Sequence, residues 1–206
     1  MLDQTAGREV VLASNNAGKL REFSAILSGA GITMIAQGDL GVPEADEPYL
    51  TFLENALAKA RHASQHSGRP ALADDSGLCV PALGGAPGVY SARYASMGGG
   101  EKSDLANNMR LVSHLQRVDD HRAFYVAVLV YVERADDPCP IVAEGRWHGE
   151  IVQQPRGTNG FGYDPHFWLP DRGCTVAELD PAEKNRISHR ARALQTLLQR
   201  LREQGQ

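Results

Sequence analysis

Asp74-Asp75-Ser76-Gly77 follows the apolar stretch Pro70-Ala71-Leu72-Ala73, so two adjacent carboxylates stand where a buried strand is expected to open into a turn. Like charges side by side are costly unless a cation neutralises them, and a hydrated Mg2+ is the usual answer. The same doublet can instead cap a turn, because Asp and Ser hydrogen-bond nearby backbone groups. A second candidate is the loop Ser14-Asn15-Asn16-Ala17-Gly18-Lys19, which joins an apolar run to a helical pattern. Backbone N–H groups at such a helix start can face an anion, and Lys19 adds a full charge. The loop is not a Walker sequence, since the first glycine and the Lys-Ser/Thr pair are absent, and a plain strand-to-helix turn stays open as the alternative.

Further along, Gly157-Thr158-Asn159-Gly160-Phe161-Gly162-Tyr163-Asp164-Pro165 has glycines that let a backbone approach a ligand and two aromatics that offer flat faces to a nucleobase. The competing reading makes Phe161 and Tyr163 core anchors of a turn. Lys184 places a cation near one helix start, and Ser188-His189-Arg190 sets a donor pair near another, with Ser188 also readable as a simple cap. The acidic loop residues Glu44, Asp46 and Glu47 form either a solvated surface or part of a metal site.

The elements that must position these groups follow from periodicity. Glu9 to Ala13 reads as a short buried strand, and the helix from Lys19 has Leu20, Phe23 and Leu27 on its inner face. Ile32 to Ala36 is a second strand, followed by the loop from Gly41 to Pro48. Thr51 with Glu54 marks a capped helix start, behind which Leu53, Ala56, Leu57 and Ala60 are expected on one face while Lys59, Arg61 and His62 point elsewhere. Leu83 to Gly88 is an ordered glycine-rich loop. Residues 102–118 read as a helix with Leu105, Met109, Val112 and Leu115 as its apolar series. Ala123 to Glu133 is the longest β-type run, Ile141-Val142 and Trp147 to Val152 suggest two more strands, and Asp180-Pro181 opens the helical C-terminal region with Leu194, Leu197, Leu198 and Leu201. A central mixed sheet with helices is expected, in one domain spanning 1–206.

Composition narrows the function. With 206 residues, 42% hydrophobic and 22% charged, the chain can bury a substantial core, and no apolar run is long enough to cross a bilayer. A formal charge of -4 argues against coating long nucleic acids, although a few lysines can still hold a triphosphate. Met1 to Arg8 is polar and lacks the regions of a secretory signal, and three scattered cysteines fit reduced thiols, so a cytoplasmic protein without membrane or nucleic-acid partners is expected.

Six motifs in order, Ser14 to Lys19, Thr51 to Ala56, Ala73 to Leu78, Leu83 to Gly88, Phe161 to Pro165 and Ser188 to Arg190, make the chain resemble the inosine triphosphate pyrophosphatase family from about Val10 to Leu201. The resemblance implies an α/β fold with an elongated central mixed sheet, two lobes around an active-site cleft, and a homodimer. It also implies Mg2+-dependent hydrolysis of dITP, ITP and XTP to monophosphate and pyrophosphate. Matched by position, Ser14, Asn15, Asn16, Ala17, Gly18 and Lys19 belong to the nucleotide site, with Asn16 and Lys19 near phosphates. Asp75 is the general base and a metal-associated residue, joined by Glu47 and Asp74 in the acidic metal region. Ser76 and Lys184 contact substrate, Phe161, Gly162, Tyr163 and Asp164 line the nucleoside pocket, and His189 with Arg190 reads the base. Asn15 stands where bacterial members commonly have glycine, and Asn159 interrupts what is often a glycine pair. Rival readings are a pyrophosphatase for pyrimidine or modified nucleotides and a nucleotide sensor that binds without cutting; Asp74-Asp75 with Lys19 disfavours the sensor. A kinase-like transferase would need a proper phosphate loop.

Overall fold

The apolar run Arg8–Leu12 forms strand β1 in this computed structural model, which describes residues 7–204. Most of the polar N-terminal segment, residues 1–6, lies outside the described residues. After β1 come α1 (Ala17–Leu27), β2 (Ile32–Ala36), α2 (Phe52–Ser67), β3 (Ala71–Cys79), α3 (Asp104–Leu115), β4 (Arg122–Val132), β5 (Ile141–Ile151), β6 (Phe167–Leu169), β7 (Cys174–Thr175), α4 (Pro181–Ile187) and α5 (His189–Gln204). The strands form a seven-stranded mixed sheet in the order β2-β1-β3-β4-β5-β6-β7. Strand β1 runs parallel to β2 and β3, which the α1 and α2 crossovers permit, whereas β5, β6 and β7 pair antiparallel in sequence. This is the expected α/β class.

Two compact units emerge. One takes the described residues up to Asp75 with 127–145 and those from 192 on; the other takes 76–126 and 146–191. In the first unit Phe23 and Leu27 of α1 and Leu194 and Leu197 of α5 pack with Leu12, Leu72 and Leu129. The second is built around Leu78, Leu111, Leu115, Trp147, Phe167 and Leu169. Full burial of each Leu or Phe side chain contributes about 1.5–3 kcal/mol, so each cluster anchors the elements of its own unit.

Local chemistry sets the helix starts. Thr51 Oγ1 accepts from Glu54 N at 3.2 Å, Ser103 Oγ from Ala106 N at 3.2 Å, and Asp180 Oδ1 from Ala182 N at 2.8 Å ahead of Pro181. Cys79, Cys139 and Cys174 are free thiols. Among the described residues no helix is long and apolar enough to cross a membrane.

Four expectations change. The Asp-Asp doublet does not open a turn, because β3 runs on through Ser76 and Gly77 to Cys79. Ile141-Val142 and Trp147 to Ile151 are parts of one strand, β5, with Val152 just past its end, since Glu144 and Arg146 face outward on its alternating polar side. Helix α3 buries Asn107, Asn108, Leu111 and Leu115 and leaves Leu105 (72%) and Met109 (65%) exposed, so its inner face is shifted from the apolar series. Helix α2 buries Asn55, Ala56, Lys59, Ala60, Ala63 and Ser64, which puts Lys59 inside and Leu53 outside.

Candidate active site

In the first unit, the strand-to-helix loop after β1 is shaped by its own side chains. Ser14 Oγ accepts from Asn16 N at 3.1 Å, and Asn16 Oδ1 accepts from Gly18 N at 2.8 Å and Lys19 N at 3.0 Å, which makes Asn16 the cap of α1. These helix-start N–H groups, expected to face an anion, are therefore met by Asn16 itself. A Cβ at Gly18 would lie 3.0 Å from that Asn16 oxygen, so the tight cap favours glycine there. The Asn15 side chain turns the other way and donates to Glu44 Oε1 at 3.1 Å, linking the loop to the acidic segment. Lys19 Nζ meets Asp74 Oδ2 at 2.9 Å.

Adjacent residues on a strand point to opposite faces, and Asp74 and Asp75 do so. Asp74 turns to Lys19 on α1, while Asp75 Oδ1 receives Lys59 Nζ of α2 at 3.0 Å. The same ammonium donates to Glu47 Oε1 at 2.7 Å and to the Asp74 carbonyl at 2.9 Å. The doublet is thus two separately neutralised carboxylates, and Asp74 is not gathered with Glu47 and Asp75. Burial raises the Asp75 carboxyl above the ordinary aspartate value; the Lys59 charge pulls it back, and Glu47 and Asp74 push it further up. Burial would lower Lys59, but the Asp75 and Glu47 carboxylates outweigh it and raise the ammonium above 10.5. Asp75 Oδ2 is buried and meets no hydrogen-bond partner among the described residues. That oxygen, with Glu47 beside it across one ammonium, is the kind of hard donor set a small divalent cation takes, although among the described residues no three His, Cys, Asp or Glu side chains gather as a ready ligand set.

In the second unit, the loop before β6 presents Phe161, 64% exposed, with Lys184 Nζ 4.5 Å from its ring centre. Tyr163 does not offer a flat face: it is buried, and its hydroxyl donates to the Ser91 carbonyl at 2.8 Å. Asp164 is buried as well and organises the loop, its Oδ2 accepting from Lys184 Nζ at 2.6 Å and Phe161 N at 2.9 Å. Gly160 sits at φ +79°, and a Cβ there would fall 2.0 Å from Asp164 Oδ2, so glycine is required by backbone and space together. Helix α3 clasps the next glycine: Gly162 N donates to Asp104 Oδ2 at 2.7 Å, and Asn108 Nδ2 donates to Gly162 O at 2.8 Å. Asn159 uses its side chain to donate to the Leu179 carbonyl at 3.0 Å. Ser188 Oγ caps α5 by accepting from Ala191 N at 3.2 Å, and α5 then begins with His189 and Arg190, both buried. Arg190 donates to Ser76 Oγ at 3.4 Å, so two motifs far apart in sequence meet.

The Ham1 family model matches residues 10–200, nearly the whole chain. This chain belongs to the Ham1 family. A Bordetella pertussis member called dITP/XTP pyrophosphatase is 65% identical over 198 residues, covering 96% of this chain and 93% of that protein. A Burkholderia pseudomallei member of the same name is 66% identical over 198 residues, covering 96% and 95%. The solved HAM1 protein of Coxiella burnetii superposes with a TM-score of 0.89 at 46% identity, covering 95% of this chain and 99% of that one.

Within this Ham1 chain the structure brings Lys19 to Asp74, Glu47 to Asp75, Phe161 and Lys184 to Asp164, and Arg190 to Ser76. Lys59, Asp104 and Asn108 were not among the expected site residues. For Lys59 the signal was present, since it lies three residues after Ala56 and four before Ala63 on the buried face. Asp104 and Asn108 carried no comparable signal, because their target is the backbone of a distant loop.

Proposed function

We propose that this chain hydrolyses non-standard purine nucleoside triphosphates, namely dITP, ITP and XTP, to the monophosphate and pyrophosphate by cutting between the α- and β-phosphorus. The reading rests above all on Asp75, a half-buried carboxylate with one oxygen on Lys59 and the other, itself buried, without a partner among the described residues. An oxygen of that kind is suited to a hard cation or to a water molecule held for attack. The name of relatives at 65–66% identity supports the same chemistry.

Mg2+ fits the Asp75 and Glu47 oxygens and, when bound, would offset charge on the phosphate oxygens and the departing pyrophosphate. The chain's own groups do the rest. Lys19, steadied by Asp74, and Lys59, held between Glu47 and Asp75, supply positive charge to the phosphates. Asp75 orients the attacking water and accepts its proton late; the burial that raises its proton affinity makes it a better acceptor than an exposed aspartate. Phe161 stacks on the base, worth about 1–3 kcal/mol. Arg190 and His189 offer donors to the 6-keto oxygen of hypoxanthine and xanthine. Adenine puts a 6-amino donor at that place, which leaves buried donors unmet and gives strong discrimination. A cytoplasmic homodimer working on the nucleotide pool belongs to the same reading.

Incubating the protein with ITP and Mg2+ in 18O-labelled water tests the proposal directly. The expected products are IMP carrying the label and unlabelled pyrophosphate; release of orthophosphate would overturn it. Asp75→Asn should abolish pyrophosphate release while circular dichroism stays that of the parent. Near-normal turnover by that variant would remove Asp75 from its role.

A further inference from the structure

Tyr125 lies on β4, buried, and touches both halves of the base-reading apparatus within the second unit. Its ring stacks on the His189 imidazole with centroids 4.9 Å apart and planes 14° from parallel. Its hydroxyl donates to Asp164 Oδ1 at 3.2 Å. The other oxygen of that carboxylate holds Lys184 Nζ and the backbone N–H of Phe161, so Asp164 relays the tyrosine contact to the loop that displays Phe161. One side chain therefore joins the α5 imidazole to the aromatic loop.

Packing alone does not account for it. A phenylalanine would fill the same volume, keep the stack on His189 and keep the contact with Phe167, whose ring centre is 4.5 Å away. The hydroxyl adds a polar group to the core, which is costly unless bonded, and it spends its proton on Asp164. Burial and the Asp164 charge raise Tyr125 well above the ordinary tyrosine value, so the hydroxyl remains a donor throughout the range in which an enzyme works.

We propose that Tyr125 is a positioning residue for purine recognition, fixing His189 and the Phe161 loop in one register so that a 6-keto purine meets both. The inference rests on the function proposed above and deepens it. Without the hydroxyl, Asp164 keeps its Lys184 and Phe161 bonds but loses the anchor that sets its rotation, and the loop shifts against the imidazole.

The test compares Tyr125→Phe, which removes the hydroxyl alone, with Tyr125→Leu, which removes the stack as well. Four quantities are read for each: KM and kcat with ITP and ATP, the inhibition constant of inorganic tripolyphosphate, and the urea midpoint. One lost hydrogen bond, at 3.2 Å long for a charged partner and so of ordinary strength, predicts that Tyr125→Phe raises KM for ITP about fivefold to tenfold, more than it lowers kcat. The ITP-to-ATP ratio of kcat/KM should fall, tripolyphosphate inhibition should stay as in the parent, and Tyr125→Leu should go further in the same direction. A change that affects ITP, ATP and tripolyphosphate alike would reduce Tyr125 to a structural residue and overturn the proposal. So would an unchanged KM and ITP-to-ATP ratio in a well-folded Tyr125→Phe. If the parent leaves ITP intact, the proposed function fails by itself. Calorimetric binding of IMP then reads the role of Tyr125 instead, with weaker binding by Tyr125→Phe expected and equal binding overturning the inference.

Discussion

Replacing Lys59 by methionine isolates the charge at the centre of the acidic cluster, because the alkyl stem and its packing on α2 are largely kept. Lys59 is 9% exposed, and its ammonium bonds Glu47, Asp75 and the Asp74 carbonyl within 3.0 Å. Removing one partner of a buried ion pair costs about 3–5 kcal/mol. Glu47 is one-third exposed at its side chain, so water screens part of its share, and the lower end, about 3 kcal/mol, is expected. The cost should depend on pH. Lys59 in the folded protein titrates above its ordinary 10.5, so its contribution is complete below that value and fades as pH rises through the raised one. Asp75 also titrates above its ordinary 3.8, so the folded chain takes up a proton there before the unfolded chain does, and the penalty of the buried carboxylate is relieved as pH falls through the raised value. In Lys59→Met that value rises further for want of the cation. Urea unfolding followed by circular dichroism at pH 8, 6.5 and 5 should therefore show the deficit largest at pH 8 and shrinking toward pH 5. Added Mg2+ should recover part of it at pH 8 by returning positive charge to the same oxygens. A deficit that is the same at all three pH values and indifferent to Mg2+ would refute the electrostatic account and leave only lost packing.

Other outcomes follow from the same geometry. Gly160→Ala forces a Cβ against Asp164 at positive φ, so it should cost about 1–3 kcal/mol in unfolding free energy and raise KM for ITP, both read on purified protein. Arg190→Ala should lower the kcat/KM preference for ITP over ATP by about tenfold; an unchanged ratio would take Arg190 out of base reading. Activity should fall on the acid side as Asp75 protonates, at a higher pH than an exposed aspartate would give, and that limb should move down as Mg2+ is raised, because the cation competes with the proton. A limb independent of Mg2+ concentration would argue against Asp75 as the shared oxygen.

Much of this protein is written locally. Helix starts at Thr51 and Asp180, the apolar run of β4 and the order of six short motifs depend on residues a few positions apart, so they are visible without any fold. The candidate residues Lys19, Asp75, Phe161, Lys184 and Arg190 could be named for the same reason. What could not be read was which partner each would meet. Asp74 and Asp75 form a single chelating pair on a turn and diverge on a strand, and the continuation of β3 through both residues to Cys79 decides between them. Tyr163 and Phe161 are chemically alike two residues apart, yet one is buried against the Ser91 carbonyl and the other is exposed. Lys59 and Asn108 lie on inner helix faces that hydrophobicity alone assigns to water, because their polar atoms are matched by groups distant in sequence. The sequence by itself determined the fold class and the chemistry available and named candidate residues for it, since these follow from nearest-neighbour propensities and residue type. The tertiary structure alone decided the ion pairs, the orientation of the carboxylates and the place of Tyr125, because a buried polar group is tolerated only where a partner from elsewhere in the chain arrives to satisfy it.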